Sequence, residues 1–113
     1  MKASEVDADK VFAALADKNR RKVVELLHEK EASVQEMLPY FLVSFQGLAK
    51  HVNILADAQI ITKTRKGKSM ICKLNPEALK VSLKWMEHYS RLWNESFDKL
   101  DELINTDNAN NEG

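Results

Sequence analysis

The sequence is poor in the residues that build several kinds of functional site. Its 113 residues include one cysteine, which excludes an internal disulfide and a cysteine-rich metal site. Three glycines do not form a glycine-rich phosphate-binding loop. No segment approaches the ~18 consecutive apolar residues of a membrane span, and the N-terminus lacks the apolar stretch of a signal peptide. We therefore expect one soluble, cytoplasmic domain.

The histidines and the cysteine are too scattered to form an active site. His28, His51 and His88 fall on three separate predicted helices, without His-x-x-His or Cys-x-x-Cys spacing. Cys72 lies in an alternating strand pattern, where a buried, inert thiol is expected and a redox-active thiol is the alternative. The sequence thus predicts no catalytic residue, no metal ligand and no cofactor.

Charge is unevenly distributed along a chain whose formal net charge is zero. Residues 44–73 carry six basic side chains and one acidic side chain, whereas the segments before and after them are net acidic. A neutral chain with one basic segment is typical of a domain that presents a local surface to nucleic acid.

Two amphipathic helices are predicted at the start of the chain. Ser4 gives residues 4–16 a capping-box-like beginning, and apolar residues recur there at helical spacing. A short polar break precedes a second helix over 18–30. Three cations open this second helix, and we expect them to face solvent and the first helix, with DNA phosphates as the alternative: Arg20, Arg21 and Lys22.

A short helix and a longer helix follow. Ser33 opens an S-x-x-E capping box, and Pro39 should shorten or distort the helix that it begins. Ser44 is the expected N-cap of a helix over 44–57. The inward face of this longer helix is predicted to carry Phe45, Leu48, Ala49, Val52 and Leu55.

The outward face of the 44–57 helix is polar and has no acidic residue before Asp57. Glutamine and asparagine can each bind adenine through two hydrogen bonds, and lysine can reach guanine or phosphate. A basic hairpin with its turn at residues 66–68 forms a wing over 62–73. A helix-turn-helix followed by a basic wing predicts duplex DNA binding. The predicted DNA-binding residues are Ser44, Gln46, Gly47, Lys50, His51 (with helix packing as its alternative role), Asn53, Lys63, Arg65, Lys66 and Lys68.

A long amphipathic helix ends the predicted fold. Asn75 is its expected N-cap, Pro76 occupies its first turn, and the apolar pattern continues to about residue 104. Large aromatic side chains widen the apolar stripe beyond what one small domain needs to cover, which favours a partner subunit. The polar residues 106–113 are expected to be disordered.

Several motifs resemble the ArsR/SmtB family of winged-helix repressors. The run S-F-Q-G-L-A-K-H-V at 44–52 resembles the recognition-helix signature of that family, and A-L-A-D-K-N-R-R at 14–21 resembles its entry into the second helix. The resemblance extends over about 11–104. It implies a homodimer, built from the first and last helices, that binds an inverted repeat in a promoter. The expected dimer interface comprises Val11, Leu15, Trp85, Tyr89, Leu92, Trp93, Phe97 and Leu100.

The chain departs from the family at its known metal sites. Metal-sensing members carry a Cys-x-Cys-type motif in the short third helix, where this chain has no ligand between Glu36 and Tyr40. Other members carry an Asp-x-His…His set on the last helix, which a lone His88 does not supply. Ala49 and Asn53 also replace the more usual serine and arginine, so the base preference of the family does not transfer.

These observations predict a mainly α fold with a small β-hairpin, namely a dimeric winged helix-turn-helix in the order α-α-α-α-β-β-α. Residues 1–105 form the DNA-binding domain, including a dimerisation helix over about 76–104. The expected function is that of a homodimeric repressor in the bacterial cytoplasm, nucleoid-associated when bound to double-stranded DNA, without enzymatic activity or a membrane partner. The alternatives are a protein-interaction winged helix and a redox-responsive repressor using Cys72. No inducer is indicated.

Overall fold

The computed structural model describes residues 6–112, and their side chains as far as residue 105. The chain divides into two compact units, Met1–Ser82 and Leu83–Gly113. Within the described residues, no helix is both long enough and apolar enough to span a bilayer.

Two capped helices begin the first unit. Helix α1 spans Ala8–Leu15, and Asp7 caps it by accepting a hydrogen bond from the Asp9 N–H at 2.9 Å. Helix α2 spans Lys18–Glu29, with Asp17 as its N-cap. The first helix therefore begins later than predicted, and Ser4 lies outside the described residues. Both boundaries follow from aspartates whose carboxylates satisfy N–H groups that a helix leaves without partners.

The helix-turn-helix is formed by α3, which spans Val34–Met37, and α4, which spans Phe45–Asp57. Both halves of the predicted capping box form, since Ser33 and Glu36 exchange hydrogen bonds of 3.0 and 3.1 Å. A 3₁₀ turn over Leu38–Tyr40 ends α3. This turn confirms that Pro39 shortens the helix, because proline has no N–H with which to continue it.

The wing is part of a sheet with three strands. Strands β2 (Ile61–Lys66) and β3 (Ser69–Leu74) form the predicted hairpin, and Gly67 adopts a φ of 63° at its turn. A short strand β1, Ala32–Ser33, pairs with β3 on its other side, in the order β1-β3-β2. Strand β1 is an addition to the predicted element order, and it joins the wing to the segment before α3.

The core of the first unit is apolar, and its residues come mainly from the helices and from strands β2 and β3.

The burial of three residues bears on the predictions. Phe45 was predicted to face inward but is 48% exposed. Val11 was predicted at the dimer interface, and it has no accessible surface in the protomer. Leu15 is half-buried against the core. The buried residues are Val11, Ala14, Val23, Leu27, Met37, Phe41, Leu48, Val52, Leu55, Ala58, Ile60, Ile61, Cys72 and Ala78.

Helix α5 spans Pro76–Glu112. Asn75 precedes it and fixes its start, because its side-chain amide donates to the Gln59 carbonyl at 2.8 Å while its Oδ1 accepts from the Glu77 N–H at 3.3 Å. The helix continues beyond its predicted end near residue 104, through residues 106–112, where a disordered tail was predicted.

Candidate nucleic-acid interface

Ser44 and Gly47 define the N-terminal end of α4. The Ser44 hydroxyl accepts a hydrogen bond from the Gly47 N–H at 3.0 Å, which caps the helix as predicted. A Cβ atom added at Gly47 would lie 3.3 Å from the Ser44 Oγ and 3.6 Å from the Val43 Cβ. The absence of a side chain at Gly47 therefore allows the cap and the preceding turn to approach the helix closely.

Gln46 and Lys50 project from α4 with exposed side chains. Among the described residues, neither has a hydrogen-bond or ion-pair partner within the protomer. Their amide and ammonium groups are available to a ligand, and no acidic side chain on α4 precedes Asp57 to repel a phosphate. This part of α4 satisfies the requirements of a recognition helix.

Asn53 is connected to the wing. Its Oδ1 accepts a hydrogen bond from the Lys63 Nζ at 2.5 Å, across exposed surface between α4 and β2. Two residues predicted to contact DNA are thus hydrogen-bonded to each other in the free protein. The bond uses one of the two lone pairs of the Asn53 Oδ1, so in a bidentate contact with adenine this oxygen would be shared with Lys63 or released by it.

His51 is half-buried rather than fully available at the surface. Its Nδ1 lies 3.1 Å from the Arg20 Nη1 and 3.9 Å from the Asp17 Oδ1. The pKa of Asp17 is lowered chiefly by the hydrogen bond from the Arg20 N–H, with further lowering from the Asn19 N–H and the charges of His51 and Arg20, against opposing desolvation. His51 therefore connects α4 to the start of α2. The Nδ1 edge of its ring makes the helix-packing contacts that were the alternative to DNA binding.

Of the five exposed cations of the wing, four were predicted to contact DNA, and two of these four are engaged. Lys63 bonds to Asn53, and the Lys66 Nζ forms an ion pair with the Glu31 Oε1 at 3.1 Å. Arg65 and Lys68 have no such partner among the described residues. Of the cations predicted to contact DNA, Arg65, Lys68 and Lys50 are therefore the ones without a partner among the described residues.

The three cations at the start of α2 bond to backbone carbonyl groups. Arg20 donates to the Ala14 carbonyl at 2.6 Å, and Arg21 donates to the Leu15 carbonyl at 2.8 Å. Lys22 donates to the Tyr40 carbonyl and lies over the Phe41 ring. The two arginines donate to carbonyls at the end of α1 that the helix itself leaves without partners. These bonds support the expected contacts with the first helix and not the alternative of phosphate binding.

Cys72 has no accessible surface, and burial raises the pKa of its thiol despite the opposing charge of Lys63. A protonated, buried thiol reacts slowly with oxidants, so the structure gives no support to the redox alternative. Within the described residues, no group of three or more histidine, cysteine or acidic side chains is arranged to hold a metal ion.

Comparison with known proteins shows the family. The chain is 33% identical to the transcriptional repressor SdpR of Bacillus subtilis over 79 residues, which are 70% of this chain and 88% of the relative. The solved structures similar to this chain include an ArsR family transcriptional regulator at 28% identity. The chain belongs to the ArsR family. This ArsR-family regulator is also 37% identical to the HTH-type transcriptional regulator YuzN of Bacillus subtilis over 87 residues, 70% of this chain and 95% of the relative.

The fold agrees with that assignment and confirms the predicted winged helix-turn-helix. The crystal structure of an ArsR family transcriptional regulator matches with a TM-score of 0.70 at 28% identity, covering 76% of this chain and 94% of that one. No protein-family model matches the chain.

The second unit of this ArsR-family regulator presents a continuous series of exposed apolar side chains on α5. Trp85 stacks on Tyr89 with ring centroids 5.9 Å apart, and Trp93 stacks on Phe97 at 5.8 Å. Each predicted interface residue on this helix is between 44% and 60% exposed: Trp85, Tyr89, Leu92, Trp93, Phe97 and Leu100. A single helix cannot bury such a stripe, and soluble monomers rarely leave one in water.

Two side chains that influence the interface were not among the predicted site residues. Arg20 contacts His51, and Glu31 pairs with Lys66. Arg20 was recognised only as part of a basic cluster, and no local pattern marks Glu31, because its partner lies 35 positions away in the sequence. The only signal in the sequence was the excess of positive charge over residues 44–73, which indicates that an acidic side chain elsewhere could pair with one of these cations.

Proposed function

We propose that this chain is a homodimeric transcriptional repressor that binds an inverted-repeat operator. The observation that carries the proposal is the exposed polar face of α4 at Gln46 and Lys50, together with the exposed wing cations Arg65 and Lys68, none of which has a partner among the described residues. Repression is the activity given in the name of the relative SdpR. A regulator of this kind acts in the cytoplasm, at the nucleoid when bound, and needs no catalytic residue.

In the proposed complex, α4 enters the major groove and its first half reads bases. Gln46 is suited to adenine through two hydrogen bonds, and Lys50 is suited to guanine or to a neighbouring phosphate. Each good base contact of this kind discriminates by about 1–3 kcal/mol against the wrong base. Asn53 is suited to the same contact with adenine, and it would share its Oδ1 between the base and Lys63 or release Lys63.

The wing contacts the DNA backbone beside the groove occupied by α4. Arg65 and Lys68 are the first candidates because no acidic side chain among the described residues pairs with either of them. Lys63 and Lys66 join them if phosphates displace Asn53 and Glu31. Each phosphate that the protein neutralises steepens the dependence of log affinity on log salt by about 0.9.

The dimer forms through the apolar stripe of α5 in the second unit. Burial of several half-exposed aromatic rings against the same surface of a second copy removes them from water, and a twofold interface places each patch against its equivalent. Two recognition helices in such a dimer bind half-sites about one helical turn, or ~34–36 Å, apart.

The deciding experiment is selection of bound sequences from a random duplex pool, followed by measurement of affinity against salt. The selected sequence is expected to be an inverted repeat, and affinity for it should fall steeply as the salt concentration rises. Lys50→Ala should weaken binding at one base position or at all duplexes, whereas Lys73→Ala, a change at an exposed β3 lysine outside the interface, should have little effect. Recovery of no sequence, or binding that is insensitive to salt, would contradict the proposal.

A further inference from the structure

A cavity of about 300 Å³ lies in the first unit between α3, α4 and the wing. Its volume is at the lower end of the range of small-molecule sites, ~300–1,000 Å³. Ala49 lies on the wall contributed by α4. Because its side chain is a single methyl group, it leaves the space between this helix and the wing strands unfilled. The cavity is adjacent to the proposed DNA-binding surface but forms no part of α4's base-reading edge at Gln46 and Lys50.

The rim of the cavity carries two large apolar side chains that the core does not use. Phe45 is 48% exposed and Met70 is 38% exposed, and both line the cavity. Phenyl and thioether groups at the mouth of a cavity provide adaptable apolar contact for a ring or a short alkyl chain. The apolar part of a ligand would therefore pack between α4 and β3.

The charge of the cavity is of one sign. Lys63 and Lys68 line it, and none of its lining residues within the described part of the chain is acidic. The Asn53 amide lies in the same wall and already accepts a hydrogen bond from Lys63 through its Oδ1. Two ammonium groups and an amide N–H₂ beside an apolar rim match a carboxylate attached to a hydrophobic body. We infer that this cavity binds a small amphipathic carboxylate and that its occupancy opposes DNA binding.

The regulatory part of this inference rests on the proposed function. A carboxylate on Lys63 and Lys68 neutralises two wing cations that phosphates would otherwise use, and it competes with Asn53 for Lys63. Coupling between two ligands is reciprocal, so DNA should weaken binding of the carboxylate by the same factor by which the carboxylate weakens binding of DNA.

The binding site can be tested without DNA, using 2-naphthoate as the probe and 2-naphthalenemethanol as its uncharged counterpart. Calorimetry on the full chain should show the carboxylate binding about five- to tenfold more tightly than the alcohol. Amide resonances of Ala49, Asn53 and Lys63 should shift during the titration.

Two variants change different properties of the cavity. Ala49→Leu fills the volume, and the double variant Lys63→Gln with Lys68→Gln keeps the volume but removes the charge. Both should lose at least about fivefold in probe affinity, whereas Lys73→Gln, which changes a lysine outside the cavity, should bind like the wild type. Thermal melts identify any variant that fails to fold. Because the two variants change different residues, a folded one still tests the inference if the other does not fold.

Equal binding by all variants, or no saturable binding by the wild type below about 10 mM, overturns the inference. Displacement of a fluorescent duplex by 2-naphthoate, but not by the alcohol, supports the regulatory part. Probe binding that leaves the affinity for DNA unchanged overturns that part. If the protein binds no duplex at all, the proposed function fails, while the calorimetric result still decides whether the cavity is a carboxylate site.

Discussion

Arg20 in α2 donates a hydrogen bond from Nη1 to Nδ1 of His51 in α4, across 3.1 Å. Because a guanidinium group only donates, this contact is a hydrogen bond in which the imidazole Nδ1 is the acceptor. Arg20 also donates to the carbonyls of Ala13 and Ala14 at the end of α1. One side chain therefore holds the recognition helix to the junction of the first two helices.

Replacement of Arg20 should destabilise the fold more than replacement of its neighbour. Arg20→Lys retains the charge, but its single nitrogen cannot occupy the three positions from which Nε, Nη1 and Nη2 bind their partners. We expect this variant to lower the free energy of unfolding by about 1–3 kcal/mol. Arg21→Lys is the matched control, since Arg21 makes one exposed contact, to the Leu15 carbonyl. Urea denaturation at neutral pH measures both. Equal losses in the two variants would contradict the role assigned to Arg20.

Asp17 should make stability fall at acidic pH. Its pKa is lowered in the folded protein below the reference value of 3.8, chiefly by the Arg20 N–H, so the ionised form is favoured on folding. This contribution is complete above the unfolded pKa and disappears as the pH falls through the lower folded value. Asp17→Asn and Asp17→Ser keep a side-chain cap without the charge. In both variants the loss of stability as the pH falls below about 4 should be smaller than in the wild type. Melting temperatures measured as a function of pH compare the variants with the wild type. The same decrease at acidic pH in all three proteins would refute the assignment.

Much of the secondary structure could be predicted because its signals are local. The Ser33–Glu36 capping box, the Ser44 cap and the Asn75-Pro76 start each combine a side-chain acceptor with a backbone N–H a few residues away. Such interactions depend on spacing within one turn, so a sequence reveals them. The hairpin was equally readable from two β-prone runs and a glycine.

The contacts that modulate the interface could not be predicted in this way. Strand β1 has two residues, which are too few for any periodic pattern, and it forms only because β3 is beside it. The Asn53–Lys63 and Lys66–Glu31 bonds depend on how the wing packs, which local propensity does not determine. Phe45 fits the inward helical period, but its place in the first turn leaves half of its surface in water.

Gly47 and Ser44 should show coupled effects on stability. Ser44→Ala removes the cap of α4 and should cost about 0.5–2 kcal/mol. Gly47→Ala gains up to ~1 kcal/mol of helix propensity, but its new methyl group would crowd the Ser44 Oγ at 3.3 Å, so in the wild-type background we expect little change. With Ser44→Ala present, the crowding is relieved and the gain should appear. A double-mutant cycle by chemical denaturation measures the coupling. Strict additivity would show that the cap does not limit this position.

Glu31 should weaken DNA binding by occupying Lys66. The ion pair is exposed on both sides, so its loss should change stability by no more than ~1 kcal/mol. Glu31→Gln frees Lys66 for phosphate, and we expect about a two- to fivefold gain in affinity at low salt, with a steeper salt slope. Glu25→Gln makes the same charge change on α2 without a wing partner among the described residues. If both variants raise affinity equally, general electrostatics accounts for the gain and the pair does not.

Trp93 should be a sensitive position for dimer formation. It is 60% exposed on α5 and stacks on Phe97, within the stripe proposed to meet a second copy. Trp93→Glu places a charge where the proposed interface would exclude water, and an unpaired buried charge opposes association strongly. The variant should sediment as a monomer at concentrations where the wild type is a dimer, and its affinity for a two-half-site duplex should fall towards its affinity for a single half-site. Asn94→Glu adds the same charge one position off the apolar stripe and should leave the dimer intact. A wild type that sediments as a monomer, or a Trp93→Glu variant that remains a dimer, would require a different role for this surface.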